Sequence, residues 1–251
     1  MIKKIVKRGI MKRFGFTLAE VLITLGIIGV VTAITLPALI NNYKEKATVT
    51  RLKKVYSILS QAMQKAVIEN GTADLWDSYE TENDDDILKL YYSDNIIKQL
   101  AVAKDCGFKS EGCFLPHGYK MLSGREERDF ENMNNLYYKL VLADGTLVAI
   151  QGYSVTRADG CAASGSCGEI WVDINGNKHP NVVGKDLFVF LYTKDNVFPY
   201  GYNKKDKPLS ESGCSVKSGN GYGCAAWILT NENMDYLHCY DLNWSTKTTC
   251  K

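Results

Sequence analysis

One long apolar run restricts how this chain of 251 residues can fold. The run extends from Phe16 to Ile40, and Glu20 is its single charged residue among 25. As an α-helix the run would be about 37 Å long, which is enough to cross a lipid bilayer with some tilt. A carboxylate in lipid is costly unless it has a partner, so Glu20 requires a physical explanation.

Basic residues are concentrated before this run. Residues 1–15 contain six Lys or Arg side chains and no acid, whereas the rest of the chain has 24 basic and 28 acidic residues. Such a bias predicts a single-pass topology with a cytoplasmic N-terminus and with the remainder exported. The positive charge is local and does not extend over the protein, so we expect no nucleic-acid partner.

The cysteines are confined to the part of the chain that this topology exports. All eight lie beyond residue 105, and an even number of cysteines outside the cytoplasm predicts disulfides. Sequence alone does not fix their connectivity, but neighbouring pairs close short polar loops. We therefore expect Cys106–Cys113, Cys161–Cys167, Cys214–Cys224 and Cys239–Cys250. A zinc site is the alternative, although no CxxC spacing occurs and the three histidines are scattered.

The helical pattern continues beyond the membrane segment. Apolar residues recur at three- and four-residue steps from Leu52 to Val67 and form one stripe. Asn70 and Gly71 are a typical helix stop. The pattern predicts a basic segment over residues 1–15, one helix over residues 16–70 with its transmembrane half at 16–40, and a globular domain over residues 71–251.

Pro37 lies inside the predicted helix. Proline has no backbone N–H group, so the carbonyl of Ala33, four residues earlier, loses its helical partner. We expect a kink or local melting of the helix at this point.

The globular part contains one helical pattern and several strand patterns. Residues 86–106 have helical spacing, and residues 136–155 predict two strands joined at Asp144-Gly145. The stretches GEIWVDI and DLFVFLYT predict two further strands, with Trp171, Phe188 and Phe190 in the core, and a short helix is expected near residues 225–244. The fold class is therefore α+β, with the long helix packed on a small antiparallel sheet of about four strands.

The stretch KRFGFTLAEVLITLGIIGVVTAITLP resembles the N-terminus of the type IV pilin and type II secretion pseudopilin family. The shared features are a basic leader that ends in Gly15, an aromatic residue at Phe16, a long apolar run, and an acid five positions after the glycine. With the amphipathic half of the helix, the resemblance extends over residues 16–70. It implies the same fold, a helix on an antiparallel sheet.

The resemblance implies two roles at the N-terminus. Prepilin peptidase would cut between Gly15 and Phe16 and methylate the new amine of Phe16. Glu20 would then pair with the N-terminal amine of a neighbouring subunit as it enters a filament, which gives the charge in lipid a partner. From the residues alone, Glu20 could instead extend to the headgroup boundary. Met11 offers a second start site with the shorter leader MKRFG.

One stretch has the composition of a cation-binding loop. In VDINGNKHPNVVGKD, residues 172–186, the oxygen-bearing side chains Asp173, Asn175 and Asn177 alternate around Gly176, and Asp186 follows. Calcium prefers such oxygen clusters on a turning loop, and some pseudopilins carry calcium in a loop of the sheet domain. The alternative is a turn-rich connection between two strands, and nothing else in the chain requires a cofactor.

No pattern in the sequence predicts an enzyme. There is no GxSxG elbow and no Walker-type loop, and the histidines His117, His179 and His238 stand in separate polar surroundings. The resemblance instead implies a structural subunit of a type IV pilus or of a type II secretion pseudopilus. A minor tip pilin that binds DNA, a surface or a secreted substrate is one alternative, and an envelope protein that never assembles is another.

The family also implies a location and a set of partners. We expect the chain in the inner membrane first and then in an extracytoplasmic filament or at the cell surface. Its partners would be prepilin peptidase, neighbouring pilin or pseudopilin subunits, the inner-membrane assembly platform and, before assembly, membrane lipid.

Overall fold

The fold is taken from a computed structural model, which describes residues 15, 17–76, 95–115, 118–125, 127–130, 137–152, 161, 165–204, 209 and 212–250. The chain divides into two compact units, residues 1–44 and residues 45–251. The membrane-type half of the long helix lies in the first unit, and the sheet lies in the second.

Helix α1 extends from Leu18 to Asn70 and contains 53 residues. It ends where the sequence predicts, because Gly71 adopts a left-handed conformation with φ of 76° and its N–H donates to the Val67 carbonyl at 3.0 Å. The helix runs unbroken through Pro37, so the proline does not cause local melting. A kink at this residue stays a prediction.

The first half of α1 presents apolar side chains on all sides. Within its most apolar window of 18 residues no residue is buried, and Ile34 is 73% exposed. Among the described residues, α1 is the one helix whose length and composition suffice to cross a membrane.

The second unit is built on a six-stranded antiparallel sheet with the order β1-β4-β5-β6-β7-β8. Its strands are β1 (Val102–Gly107), β4 (Tyr138–Leu142), β5 (Leu147–Gly152), β6 (Gly168–Asp173), β7 (Leu187–Tyr192) and β8 (Val197–Pro199). Two short strands, β2 (Tyr119–Lys120) and β3 (Glu127–Arg128), form a separate pair. The predicted hairpin at Asp144-Gly145 is confirmed as the β4–β5 connection, and the short C-terminal helix is confirmed as α2 (Cys224–Asn231).

The prediction of about four strands was wrong, because β1 and β8 were not recognised. The helical spacing over residues 86–106 predicted a helix. In the described part of this stretch there is instead a single 3-10 turn, Ile97–Gln99, followed by β1. Residues 77–94 lie outside the described residues. In β1, Val102 pairs with Leu142 of β4, so pairing with a distant strand outweighs the local pattern. Strand β8 has only three residues and is too short to show an alternation.

The sheet is covered on both faces, which explains its nearly continuous apolar strands. On β7, Phe188 and Phe190 belong to the core cluster that contains the buried stripe of α1 and most of α2. The alternate residues Leu187 and Val189 belong to a second cluster, rich in aromatic side chains. Between helix and sheet, the rings of Tyr56 and Phe190 stack with their centroids 5.9 Å apart.

The eight cysteines form four disulfides in sequence order. The pairs are Cys106–Cys113, Cys161–Cys167, Cys214–Cys224 and Cys239–Cys250, as expected from the short loops between neighbouring cysteines. Each cross-link joins residues 6 to 11 positions apart, so the disulfides constrain individual loops beside the sheet and do not join distant parts of the chain.

The buried stripe of α1 can be tested at Leu59, which is 0% exposed in the core. We expect Leu59→Ala to lower the free energy of unfolding by about 2–5 kcal/mol, because it removes buried methyl groups and leaves a cavity. Gln64→Ala, on the exposed side of the same helix, is the control and should change it by less than about 0.5 kcal/mol. Denaturant titration of both variants gives the comparison, and equal effects would contradict this packing.

Candidate functional site

Two parts of the chain carry candidate functional residues, and the first is the start of α1. The Thr17 N–H and hydroxyl each donate to the Glu20 carboxylate at 2.8 Å, and the Glu20 N–H is 3.2 Å from the Thr17 hydroxyl oxygen. This reciprocal arrangement is a capping box, which satisfies backbone donors at a helix N-terminus. Glu20 therefore has partners within its own helix.

The capping box could have been recognised from the sequence, because Thr17 and Glu20 have the spacing S/T-x-x-E. From the apolar run and the family resemblance, Glu20 is interpreted only as a charge in lipid that needs a partner. Of the two residues at the expected cleavage site, Gly15 is exposed, whereas Phe16 lies outside the described residues. Cleavage and pairing of Glu20 with another subunit stay predictions.

The second candidate site is the loop between β6 and β7. Asp173 ends β6 and is 0% exposed, and Asp186 precedes β7 and is 2% exposed. Asp173 accepts hydrogen bonds from the Tyr119 hydroxyl at 2.7 Å and from the Asn175 N–H at 3.0 Å. Burial raises the pKa of Asp173 to about 7; the Tyr119 hydrogen bond opposes this rise, and the charge of Asp186 adds to it.

Asp186 holds the loop together through several N–H donors. Its carboxylate accepts from the backbone N–H groups of Asn181 and Val182, each at 2.7 Å, and from the Asn175 side-chain amide at 3.2 Å. Burial raises the pKa of Asp186, and these hydrogen bonds act in the opposite direction. Neither Asp173 nor Asp186 forms an ion pair with a basic side chain of the described chain.

Two amide oxygens in this loop lack a donor. The side-chain Oδ1 atoms of Asn175 and Asn181 are buried and have no hydrogen-bond partner among the described residues. Buried acceptors without a partner are uncommon in proteins and point to a missing donor, water or ion. Asn181 as a whole residue is only 7% exposed.

Only some of the predicted ligand residues therefore lie close together. Asn175 contacts both Asp173 and Asp186, whereas Asn177 is exposed. The prediction that Asn177 joins them relied on alternation, but Gly176 has φ of 66° and turns the backbone, so successive side chains no longer alternate. Among the described residues no group of three Asp, Glu, His or Cys comes together, and two carboxylates with amide oxygens suit calcium better than zinc.

Two members of this cluster, Tyr119 and Asn181, are absent from the predicted ligand set. Tyr119 lies 54 residues before Asp173, so no local pattern connects them. Asn181 stands within residues 172–186 but outside the alternating set of Asp173, Asn175 and Asn177, and its φ of 55° fits a turn.

The described histidines contribute to other contacts. His179 Nδ1 lies 3.4 Å from the Asn181 side-chain amide, and His238 Nε2 lies 2.8 Å from a Glu45 carboxylate oxygen. His117 lies outside the described residues.

Comparisons with known protein families give matches to two parts of the chain. Residues 38–233 match a family of unknown function (DUF6613), and residues 10–36 match the prokaryotic N-terminal methylation motif, which includes Gly15, Phe16 and Glu20. The chain is a type IV pilin-like member of that family. No curated protein and no solved structure matches it.

The pilin-like assignment agrees with the architecture. The helix Leu18–Asn70 on an antiparallel sheet, together with four disulfides, is a pilin-like α+β fold, so the predicted family and fold class are confirmed. Pilin-type proteins are typically structural. The match over residues 38–233 gives no chemistry for the β6–β7 loop.

The hydrogen bond between Tyr119 and Asp173 can be tested by removing one hydroxyl. We expect Tyr119→Phe to lower the free energy of unfolding by about 1–3 kcal/mol, because it removes one donor from a buried carboxylate. Tyr43→Phe is the control, since Tyr43 is 73% exposed. Denaturant titration in EDTA is the measurement; a loss in the control as large as that in Tyr119→Phe would contradict this role.

Proposed function

We propose that this pilin-like chain is a structural subunit of a type IV pilus or of a type II secretion pseudopilus. The observation that carries the proposal is the exposed apolar half of α1, in which the most apolar window of 18 residues has no buried residue. Apolar surface of this extent is stable only in lipid or against similar helices. A subunit stored in the membrane and transferred into a filament core uses both environments.

Processing by prepilin peptidase is the first step of this function. We infer a cut between Gly15 and Phe16, followed by methylation of the Phe16 amine; the match of residues 10–36 to the methylation motif supports this step. Removal of residues 1–15 takes away six basic side chains. The remaining helix would then stay anchored in the inner membrane by its apolar half alone, available to the assembly platform.

The capping box gives Glu20 a role both before and after assembly. In the isolated chain its carboxylate accepts hydrogen bonds from Thr17, which lowers the cost of placing it near lipid. In a filament the Phe16 amine of a neighbouring subunit would supply a positive partner. Pairing of opposite charges in a low-dielectric core is stronger than the hydrogen bonds it supplements.

Pairing and capping can be separated by two substitutions. Glu20→Gln keeps an acceptor for the capping box but removes the charge, so we expect it to abolish filament incorporation. Thr17→Ala keeps the charge and removes the cap, which costs about 1 kcal/mol at the helix start, so filaments should still form. Filament yield is measured by shearing and immunoblotting in cells that express the full chain.

Mass spectrometry of the same cells provides the control for processing. Both variants should be cut after Gly15 and should carry a methylated Phe16. Normal filaments from Glu20→Gln would refute the pairing role, and equal assembly defects in both variants would assign Glu20 to capping alone. An intact leader in cells with active prepilin peptidase would refute the family function.

We also propose that the β6–β7 loop binds a calcium ion through Asp173, Asn175, Asn181 and Asp186. Two observations support this proposal: two buried carboxylates have no cationic partner in the described chain, and two buried amide oxygens have no donor. A bound calcium would neutralise the acids and occupy the free oxygens. Asn177 is left out of this set because it is exposed.

Calcium binding is tested by melting the full chain in detergent with calcium and with EDTA. At one hundred times the dissociation constant, binding adds about 2.7 kcal/mol, which raises the melting temperature by about 5–10 °C for a chain of this size. Asp186→Asn should abolish this shift, whereas Asn177→Ala should retain it.

The effect of a second substitution on the melting temperature distinguishes a calcium site from a turn without a metal. Asp173→Asn removes one of two neighbouring buried charges, which favours folding, and one acceptor oxygen, which disfavours it, so in EDTA the melting temperature should change little. In calcium the same substitution should lower the melting temperature, because a ligand is lost. If calcium and EDTA give the same melting temperature for the unmodified chain, the loop is a turn held by Asp186 and not a metal site.

A further inference from the structure

A cleft in the second unit lies beside the β6–β7 loop. It encloses about 590 Å³, within the range of about 300–1,000 Å³ typical of small-molecule sites. Its walls come from four segments: α1, the loop closed by the Cys106–Cys113 disulfide, the β4–β5 turn and the β6–β7 loop. Residues that line it include Arg51, Lys54, Gly112, Asp144, Asn177 and Lys178.

The cleft has a clear excess of positive charge. Arg51, Lys54 and Lys178 line it, and Asp144 is the one acid among the described residues that line it. That acid is already paired, since its carboxylate lies 2.7 Å from Lys54 Nζ. Lys104 Nζ lies near one wall, because a Cβ placed on the lining residue Gly112 would lie 2.0 Å from it, but Lys104 is not among the described lining residues.

This excess is local to the cleft. Beyond residue 15 the chain has 24 basic and 28 acidic residues, so its overall balance is of the opposite sign. Arg51, Lys104 and Lys178 form no ion pair with any acid in the part of the chain that the structure describes. Unbalanced charges of one sign around a concave surface focus the field and attract ligands of opposite charge.

The residue types further define the ligand. The guanidinium of Arg51 can donate two parallel hydrogen bonds to a phosphate or a carboxylate, and the lysines supply point charges. None of the described residues that line the cleft is aromatic, so they offer no platform on which a nucleobase or a sugar ring could stack. Nucleic acid and neutral sugars therefore fit it poorly.

We propose that this cleft binds a small ligand that carries at least two phosphate or carboxylate groups. Arg51 and Lys178 lie on different walls, one on α1 and one on the β6–β7 loop, so two anionic groups can be held at once. The Lys54–Asp144 ion pair joins α1 to the β4–β5 turn, and the hydrogen bonds of Asp173 and Asp186 hold the two ends of the loop that carries Lys178. This function goes beyond assembly into a filament and does not depend on it.

The test measures binding of two probes to the full chain in detergent by isothermal titration calorimetry. Pyrophosphate represents phosphate ligands, the tricarboxylate tricarballylate represents carboxylate ligands, and sucrose is the neutral blank. Divalent cations are removed beforehand from protein and buffer with a chelating resin, because pyrophosphate withdraws divalent cations, and ionic strength is held constant. We expect saturable binding of at least one anion and none of sucrose, and the tighter anion identifies the ligand chemistry.

Paired variants show whether binding occurs in the cleft. Arg51→Gln with Lys178→Gln should weaken binding at least about tenfold, because two charged donors are lost. Lys46→Gln with Lys65→Gln removes the same charge from exposed positions of α1 outside the cleft and should change affinity less than about twofold. All four positions are exposed, so both double variants should keep the melting temperature of the unmodified chain within about 2 °C.

Two outcomes would overturn the proposal. In one, neither anion binds more tightly than sucrose. In the other, the control pair weakens binding as much as the cleft pair does, which would show attraction to net charge and no site. The outcome is independent of filament assembly, because assembly is scored by the Glu20 and Thr17 variants, which lie outside the cleft.

Discussion

Packing of one stripe of α1 on the sheet is the interaction on which the second unit depends. Leu52, Leu59 and Met63 are fully buried in the cluster that contains Phe188 and Phe190, and each such side chain contributes about 1.5–3 kcal/mol. The same helix begins with apolar side chains that have no partner in the described chain. One half of α1 is thus satisfied within its own subunit, and the other half is satisfied only by lipid or by other helices. This division would allow a stably folded domain to be attached to a segment that, as proposed, exchanges between lipid and a filament core.

Local patterns in the sequence predicted those elements whose stabilising contacts are also local. The end of α1 at Asn70, the β4–β5 hairpin and the disulfides over short loops all depend on residues within a few positions of one another. Strand β1 was missed because its partner lies about 40 residues away, where Val102 pairs with Leu142. The same limit applies to the candidate calcium site. One stretch supplies Asp173, Asn175 and Asp186, but the donor Tyr119 comes from a distant strand that no local pattern connects to it.

At three places in this protein a carboxylate is stabilised by donors or a cation of the same chain. At the helix start, Glu20 is balanced by Thr17; in the loop, Asp186 is balanced by backbone N–H groups; at the cleft, Asp144 is balanced by Lys54. The groups that remain without a partner differ between the β6–β7 loop and the cleft. The loop retains acceptors without donors, whereas the cleft retains cations without anions. Unsatisfied groups of opposite character therefore lie on one short segment, residues 173–186.

That proximity has an energetic consequence for the two proposed sites. Asn175 contributes to the buried acid cluster and also lines the cleft, and Lys178 follows it by three residues on the same loop. A cation in the loop would order the backbone that carries Lys178, so an anionic ligand would meet less entropic cost on binding. By thermodynamic linkage, the anion would strengthen cation binding by the same factor. The strength of this coupling depends on how rigid the loop is before any ligand binds. The hydrogen bonds that Asp186 accepts from Asn181 and Val182 already fix the second half of the loop. The coupling between the two sites therefore acts mainly through the first half of the loop, residues 174–178. In this half, Asn175 carries the buried oxygen without a donor and also lines the cleft.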